Sequence, residues 1–230
     1  MFKYDSYKIG TPSKLVIFIH GYNGTIADHQ YAIDWLCKKL RNALLIIPQA
    51  PQISEKNSLK YQWFGMKKYD PENKRTQENT SSEEIFAIYN NAQKDVSDCA
   101  QAINQFIDDM QQKYEIDDAH TYLIGFSQGA MLSIFAALSR VHQLDSVFSL
   151  SGLVAAEDLL SENIKATPKV YLFHGTEDLK VQYKTLPDSI KWLQLHGINP
   201  QVYTYNELAH KICEAEINQI AAEINQNDEK

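Results

Sequence analysis

Six short apolar runs, separated by longer stretches with a helical period, constrain the fold of this chain more than any other feature. The runs are rich in Val, Ile, Phe and Tyr, and several are apolar on both faces, as the buried strands of a parallel sheet are. Alternation of this kind predicts right-handed βαβ units, and therefore an α/β fold with a mostly parallel central sheet and helices on both faces. The apolar runs lie at 14–20, 43–48, 121–126, 146–152, 169–175 and 201–206, and the helix-period stretches at roughly 28–41, 83–114, 128–140, 183–196 and 208–224.

Length and composition fit that architecture. The chain has 230 residues, of which 44% are hydrophobic and 22% charged, as in a globular protein that buries a substantial core. Since no linker or repeat interrupts it, we expect one domain over 1–230, with an antiparallel edge strand near the start and a frayed tail at 225–230. The one compositional break, at 65–82, is polar and aperiodic. It is long for a simple connection, which predicts either a lid or a surface loop.

Charge and cysteine content narrow the partners and the compartment. The net charge of −7 argues against nucleic acid or an anionic membrane as the main partner. No apolar run approaches the ~20 residues of a membrane span, and the polar N-terminus has no signal-peptide core, so we expect a cytoplasmic protein. The scattered cysteines, Cys37, Cys99 and Cys213, predict neither a disulfide framework nor a metal site.

The segment "LIGFSQGAM" at 123–131 places Ser127 between a strand and a helix, with Gly125 and Gly129 two positions away on either side. A tight strand-to-helix turn holds its central residue in a strained conformation, and only glycine fits where the flanking backbones approach each other. This pattern predicts a nucleophile elbow at the carboxyl end of a strand, where open α/β sheets form their sites. The alternative is a serine that caps the helix, with incidental glycines.

A nucleophilic serine needs a base, and the base needs an acid that orients it. In this arrangement the acid and then the histidine follow the serine along the chain. His210 follows the last strand by a short loop, whereas His196 ends a helix on the other side of the sheet, so we predict His210 as the base. Asp178, just after the strand at 169–175, is the predicted acid, and Asp158 is its rival.

Acyl transfer also requires hydrogen-bond donors for the oxyanion that forms in the transition state. One is expected to be the backbone N–H of Gln128, directly after the nucleophile. The other is expected in "HGYNGT" at 20–25, which follows the first core strand, and the N–H of Tyr22 is the natural candidate. His20 and His174, each followed by glycine after a strand, are expected to brace loops by hydrogen bonding.

Taken in order, these motifs resemble the carboxylesterase/lysophospholipase family of α/β hydrolases, which includes the acyl-protein thioesterases. The resemblance spans essentially the whole chain. It rests on "FIHGYNG" (18–24), "IIPQAP" (46–51), "QWFG" (62–65), "GFSQGA" (125–130), "LSG" (150–152), "HGTEDLKV" (174–181) and His210. The chain departs from the family pattern at Gln182, where proline is usual, and at Ala209, where glycine often precedes the histidine.

The resemblance implies an α/β-hydrolase fold and a serine hydrolase of carboxylic esters or thioesters, with Ser127, His210 and Asp178 as catalytic triad and no cofactor or metal. Its substrate is then a small-molecule or lipid acyl ester, or an acylated protein, so lysophospholipase and acyl-protein thioesterase are alternative specific activities. A peptidase and a non-catalytic binding protein are less favoured. The resemblance also suggests that Trp63, Phe64, Leu153 and Val181 line an acyl cleft; the alternative is that they are ordinary core or loop anchors.

Overall fold

A seven-stranded sheet forms the centre of the molecule in the computed structural model, which describes residues 2–226. Two very short strands pair with each other outside it. In chain order the strands are β1 (Tyr4–Ile9), β2 (Lys14–Ile19), β3 (Ala43–Pro48), β4 (Gln52–Ile53), β5 (Tyr61–Gln62), β6 (Thr121–Phe126), β7 (Ser146–Leu150), β8 (Lys169–Gly175) and β9 (Gln201–Tyr205).

The order of the strands creates a crevice for a site. The central sheet runs β1-β3-β2-β6-β7-β8-β9, and all its neighbouring strands are parallel except β1, which is antiparallel to β3 at the edge. The chain leaves β2 towards β3 on one side and returns to β6 on the other. In open α/β sheets, ligands bind where the order reverses in this way, at the carboxyl ends of the strands. Here that point lies between the loops that follow β2 and β6.

Helices cover both faces of the sheet, as predicted. They are α1 (Gln30–Lys39), α2 (Ser82–Asn91), α3 (Gln93–Tyr114), α4 (Gln128–Ser139), α5 (Glu157–Ser161), α6 (Leu186–Leu195) and α7 (Glu214–Asn225). In β2, Val16 and Phe18 belong to one apolar core with residues of α1 and α7, whereas Leu15 and Ile17 belong to another with residues of α3 and α4. The predicted α/β fold with a mostly parallel sheet is therefore confirmed. None of the helices in residues 2–226 combines the length and the apolar character needed to cross a membrane.

Two helical stretches differ from their prediction. The stretch at 83–114 is two helices that meet at Ala92. The break was not predicted, because the apolar residues keep the helical period across it and the sequence has no Gly or Pro there. The stretch at 208–224 becomes helical only at Glu214, which leaves 208–213 as a loop that carries His210. Most of the tail predicted to fray, 225–230, lies outside the described residues; Asn225 ends α7.

Candidate active site

Ser127 occupies the tight turn between β6 and α4. Its backbone has φ 56° and ψ −118°, a region that residues with a Cβ rarely adopt. A Cβ on Gly125 would lie 2.5 Å from Ser133 Oγ and closer still to the carbonyl of Gly129, and a Cβ on Gly129 would overlap the carbonyl of Ile19. Both glycines are thus required by close backbone contacts. The Ser127 side chain makes no capping hydrogen bond to α4, which argues against the helix-cap alternative.

The hydroxyl of Ser127 is one end of a chain of hydrogen bonds that runs through His210 to Asp178. Ser127 Oγ lies 3.0 Å from His210 Nε2, and His210 Nδ1 lies 2.7 Å from Asp178 Oδ2. Because a carboxylate can only accept, Nδ1 carries the imidazole proton and Nε2 is left to accept from the serine hydroxyl. The imidazole also packs against the ring of Phe126, with 4.8 Å between centroids, and this contact fixes its orientation.

Asp178 is held as a buried carboxylate. Its Oδ1 accepts from the backbone N–H groups of Lys180 at 2.9 Å and Val181 at 3.0 Å. Burial raises the pKa of Asp178, but the hydrogen bond and charge of His210 and the N–H of Lys180 outweigh that effect, so the pKa lies below its usual value. An ionised acceptor at this position fixes the imidazole tautomer and stabilises its protonated form.

The alternatives left open by the sequence lie elsewhere. Asp158 is exposed on α5, and no hydrogen bond links its carboxylate to His210 among the described residues. His196 stacks on Trp192 with 4.0 Å between ring centroids, and its Nδ1 lies 2.8 Å from the Trp192 carbonyl. Its partners are therefore those of a helix end, as the sequence indicates.

The backbone N–H groups of Tyr22 and Gln128 have no hydrogen-bond partner in residues 2–226. Gln128 is the first residue of α4, where a helix leaves its N–H groups unpaired and presents its positive end. Tyr22 follows Gly21, which lies so close to the elbow that a Cβ there would be 3.3 Å from Ser127 Cβ. Both residues line the same cavity as Ser127 and His210. Both N–H groups are consequently available to an anionic oxygen.

His20 holds the loop that carries Tyr22. Its Nδ1 lies 2.9 Å from the Gly21 carbonyl, and its Nε2 accepts from the Ala50 N–H at 3.0 Å and from Gln49 Nε2 at 2.8 Å. Burial lowers the pKa of His20 to about 4, so the ring is neutral and can donate from one nitrogen while it accepts at the other. It is a structural brace, as the sequence predicts.

His174 braces the loop that carries Asp178. Its Nε2 donates to the carbonyl of Val181 at 2.8 Å. Burial lowers the pKa of His174, so it is neutral, and its proximity to Asp178 is not an ion pair. The hydrogen bond connects the end of β8 to Val181, three positions after Asp178.

The side chain of Gln128 has a role that its sequence position did not reveal. Its Oε1 accepts from the Trp63 N–H at 3.0 Å, and its Nε2 donates to the Phe64 carbonyl at 2.9 Å. The indole N–H of Trp63 donates in turn to the His20 carbonyl at 2.8 Å. Gln128 thus fixes the segment around Trp63, and the Trp63 indole in turn fixes the loop after β2. The presence of both "SQG" and "QWFG" in the sequence was the only sign that Gln128 contacts the segment around Trp63.

A cavity of about 520 Å³ opens above Ser127 and His210. Of the residues predicted to line an acyl cleft, Val181 lines this cavity. Trp63, Phe64 and Leu153 are at most 1% exposed and belong to the core beneath it. The remaining walls mix polar and apolar surface in nearly equal parts, and they consist of Tyr22, Asn23, Lys56, Met66, Asn73, Arg75, Thr76, Tyr89, Gln128 and Lys180.

Comparison with known proteins agrees with this geometry. The model of the phospholipase/carboxylesterase family matches residues 7–227. The chain belongs to that family. Membership in this family identifies the protein as a hydrolase of ester bonds, as the sequence predicted. Two similar curated proteins are acyl-protein thioesterase 1 of Neurospora crassa, 28% identical with 89% of this chain and 83% of the relative covered, and acyl-protein thioesterase 1 of Gibberella zeae, 26% identical with 90% and 87% covered.

Solved structures share the fold of this phospholipase/carboxylesterase family member. Esterase PE8 superposes with a TM-score of 0.82 at 21% identity, covering 98% of each chain. Acyl-protein thioesterase 2 of Zea mays superposes with a TM-score of 0.72 at 18% identity, covering 99% of each chain. At these identities the likeness extends to the fold alone.

The departure from the family motif at Gln182 has a structural partner in the long segment 65–82. Gln182 Nε2 donates to the carbonyls of Arg75 at 2.9 Å and Gln77 at 2.8 Å. Arg75 itself forms a buried ion pair with Asp70. The segment is therefore fastened to the loop that carries Asp178 and forms part of the cavity wall. Nothing in the spacing of these residues marked the contact in the sequence.

Proposed function

We propose that Ser127 is the nucleophile, His210 the general base and Asp178 the orienting acid of a serine esterase. The observation that carries this proposal is the continuous hydrogen-bonded chain Ser127 Oγ–His210 Nε2 and His210 Nδ1–Asp178 Oδ2, at 3.0 and 2.7 Å. Serine is a weak nucleophile until a base within hydrogen-bonding reach removes its proton. The strained elbow supports the same assignment, because strain of this kind persists at functional sites.

The reaction proceeds by two acyl transfers. His210 takes the hydroxyl proton as Ser127 Oγ attacks the acyl carbonyl, and the negative oxygen is bound by the N–H groups of Tyr22 and Gln128. The imidazolium, stabilised by Asp178, then protonates the departing alcohol or thiol and leaves an acyl-enzyme. A water molecule deprotonated by His210 attacks that acyl group, and collapse of the second intermediate returns the proton to Ser127 and releases the carboxylic acid.

The substrate is an acylated molecule. The curated relatives are acyl-protein thioesterases, which supports thioesters of acylated proteins as one substrate class; lysophospholipids and small esters are the alternatives that the family description covers. A panel of matched esters and thioesters of graded acyl length would separate these classes by their kcat/KM values. A cytoplasmic location stays a prediction.

An active-site-directed fluorophosphonate tests the catalytic proposal directly. The reagent phosphonylates a serine only where a base and oxyanion donors activate it. We expect the intact protein to be labelled at Ser127, as located by peptide mass spectrometry, and a folded Ser127→Ala variant to remain unlabelled. Labelling of Ser127→Ala, or failure of the intact protein to label, would contradict the assignment of Ser127 as the nucleophile. The second result would favour a non-catalytic binding protein.

A further inference from the structure

The cavity above Ser127 is lined by cationic side chains although the chain is acidic. Its charged lining residues are Lys56, Arg75 and Lys180, and no carboxylate lines it. The chain as a whole carries a net charge of −7. Cations gathered around one cavity repel each other, whereas a cleft lined by one sign of charge concentrates ligands of the other sign. Such a distribution favours an anionic ligand.

Arg75 is a built part of this surface. It is only 7% exposed, and its Nη1 donates to Asp70 Oδ2 at 2.5 Å. Asp70 also accepts from the backbone N–H groups of Lys74 at 2.6 Å and Arg75 at 3.3 Å. Backbone and side chain of Arg75 are thus both fixed. A guanidinium has five N–H donors in a rigid fork, so the pairing with Asp70 does not use all of them, and Arg75 lines the cavity.

Lys56 and Lys180 complete the cluster from the opposite loops. Both are exposed, and within the part of the chain that the structure describes neither forms an ion pair with a carboxylate. Partial burial and the charges of Arg75 and Lys180 lower the pKa of Lys56, so the three cations lie within electrostatic range of each other. Lys56 Nζ lies 5.5 Å from the ring centroid of Tyr22, beside the proposed oxyanion donor.

The neighbouring carboxylates are committed to other partners. Asp70 is occupied by Arg75 and by backbone N–H groups. Glu55 Oε2 accepts from the N–H groups of Met66 at 2.9 Å and Lys67 at 3.1 Å and from the Tyr22 hydroxyl at 3.3 Å. These bonds hold Glu55 against the start of the segment 65–82. The charges of Asp70 and Glu55 still act on Lys56 and oppose the lowering of its pKa, but neither carboxylate forms an ion pair with Lys56 or Lys180 among the described residues.

We propose that Lys56, Arg75 and Lys180 form an anion-binding subsite, and that the substrate of this enzyme is an ester or thioester that carries a carboxylate or phosphate near the scissile bond. The inference rests on the proposed function, because it assigns the substrate class of the same site. The cavity walls combine these cations with apolar side chains such as Met66, Tyr89 and Val181, which suits a substrate that carries both an acyl group and an anionic group.

Matched aryl esters test the preference. The first pair is 4-nitrophenyl hemiglutarate and 4-nitrophenyl valerate, which differ by a terminal carboxylate on acyl groups with the same number of carbons. The second pair, 4-carboxyphenyl valerate and 4-carbamoylphenyl valerate, places the charge on the leaving group instead. We expect kcat/KM to be higher for the charged member of at least one pair, by about tenfold in low salt, and the advantage to shrink as ionic strength rises. An advantage in the first pair places the subsite on the acyl side of the scissile bond, and an advantage in the second pair places it on the leaving-group side.

Charge-removing variants assign the effect to these residues. Lys56→Gln and Lys180→Gln are exposed and should fold, and each should lower the charged-to-neutral kcat/KM ratio by about threefold to tenfold. Lys67→Gln, an exposed lysine close by that does not line the cavity, is the matched control and should leave the ratio unchanged. Ratios near one for both pairs in the intact enzyme, or a ratio that survives in the Lys56→Gln/Lys180→Gln double variant, would overturn the proposal.

A binding measurement separates this inference from the catalytic proposal. Glutaric acid monoanilide and valeranilide are amide analogues of the first pair, and calorimetry on Ser127→Ala compares their affinities without turnover. Tighter binding of the charged anilide, lost in the Lys56→Gln/Lys180→Gln background, supports the subsite even if no ester is hydrolysed. Equal binding of both anilides, together with hydrolysis of the neutral ester, defeats the subsite and leaves the esterase proposal intact.

Discussion

Ser127 is held at a positive φ of 56° although it carries a Cβ. A side chain in this region costs of order 1–3 kcal/mol, and the surrounding contacts of β6 and α4 must supply that energy. The conformation aims the hydroxyl away from the helix and towards His210. Removal of the hydroxyl and removal of the Cβ therefore have different consequences.

Ser127→Ala and Ser127→Gly should both lose about 10⁴- to 10⁶-fold in kcat, because each removes the proposed nucleophile. They should differ in stability: glycine accepts the positive φ and alanine does not, so Ser127→Gly should have a free energy of unfolding about 1 kcal/mol above that of Ser127→Ala. Ester hydrolysis and urea denaturation measure the two effects. A folded variant of either type that kept more than a few per cent of activity would exclude Ser127 as the nucleophile.

Asp178→Asn should lower kcat by about 10⁴-fold, whereas Asp158→Asn should leave it nearly unchanged. An amide next to His210 cannot favour the productive tautomer or stabilise the imidazolium, while Asp158 lies exposed on α5 away from the imidazole. Turnover of the two variants under identical conditions is the measurement. The reverse ranking would move the acid to the segment after β7.

The contact between the three residues at the centre of the candidate site could be predicted from local signatures in the sequence. The glycines around Ser127 mark the elbow, and strand ends limit where its partners can lie, which brings together Ser127, His210 and Asp178. Lys56 and Arg75 had no such signature. Their place in the cavity depends on how distant loops fold over the sheet, which spacing along the chain does not encode.

At the scale of elements, the segment 65–82 is the least predictable part of the molecule and borders the cavity. It contains buried polar groups instead of an apolar face, above all the Asp70–Arg75 ion pair. Its anchor is Gln182, more than 100 positions further along the chain. Polar packing of this kind leaves no hydrophobic pattern in the sequence. The sequence therefore left a lid and a surface loop as alternatives for this segment.

Replacement of that anchor tests whether the segment acts as a lid. The backbone of Gln182 has φ −61°, which proline adopts, so Gln182→Pro removes both side-chain hydrogen bonds and restores the residue usual in the family. We expect KM for esters to rise severalfold with a smaller change in kcat, and cleavage within 65–82 by a protease to accelerate. Gln194→Ala, an exposed glutamine on α6, is the control. Unchanged KM and unchanged proteolysis would favour a passive surface loop.

At the scale of the whole molecule, the sheet was predictable and the helix ends were not. Six of its strands are apolar runs bounded by turns, and the chain order of strands and helices dictates the parallel crossovers. The start of α7 is set instead by Glu216, which lies three positions after Cys213 and accepts from its N–H at 2.7 Å. That contact ends the loop of His210 and buries a carboxyl group completely.

Glu216 makes the stability of the fold depend on pH. Burial raises its pKa to about 7, and its second oxygen, Oε1, has no hydrogen-bond partner in the described structure. In the unfolded chain a glutamate ionises near ~4.3. Between these values the folded state holds the proton that the unfolded state releases, so the free energy of unfolding falls as the pH rises towards 7 and then levels off.

Urea denaturation at pH 5 and pH 8 measures the effect. The intact protein should lose on the order of 2–3 kcal/mol of unfolding free energy from this group between the two values. Glu216→Gln keeps an oxygen for the Cys213 N–H but cannot ionise, so most of that loss should disappear. Glu214→Gln, a substitution of a largely exposed carboxylate on the same helix, should retain it. A pH dependence that is the same in Glu216→Gln and in the intact protein would mean that Glu216 is ionised in the fold at little cost.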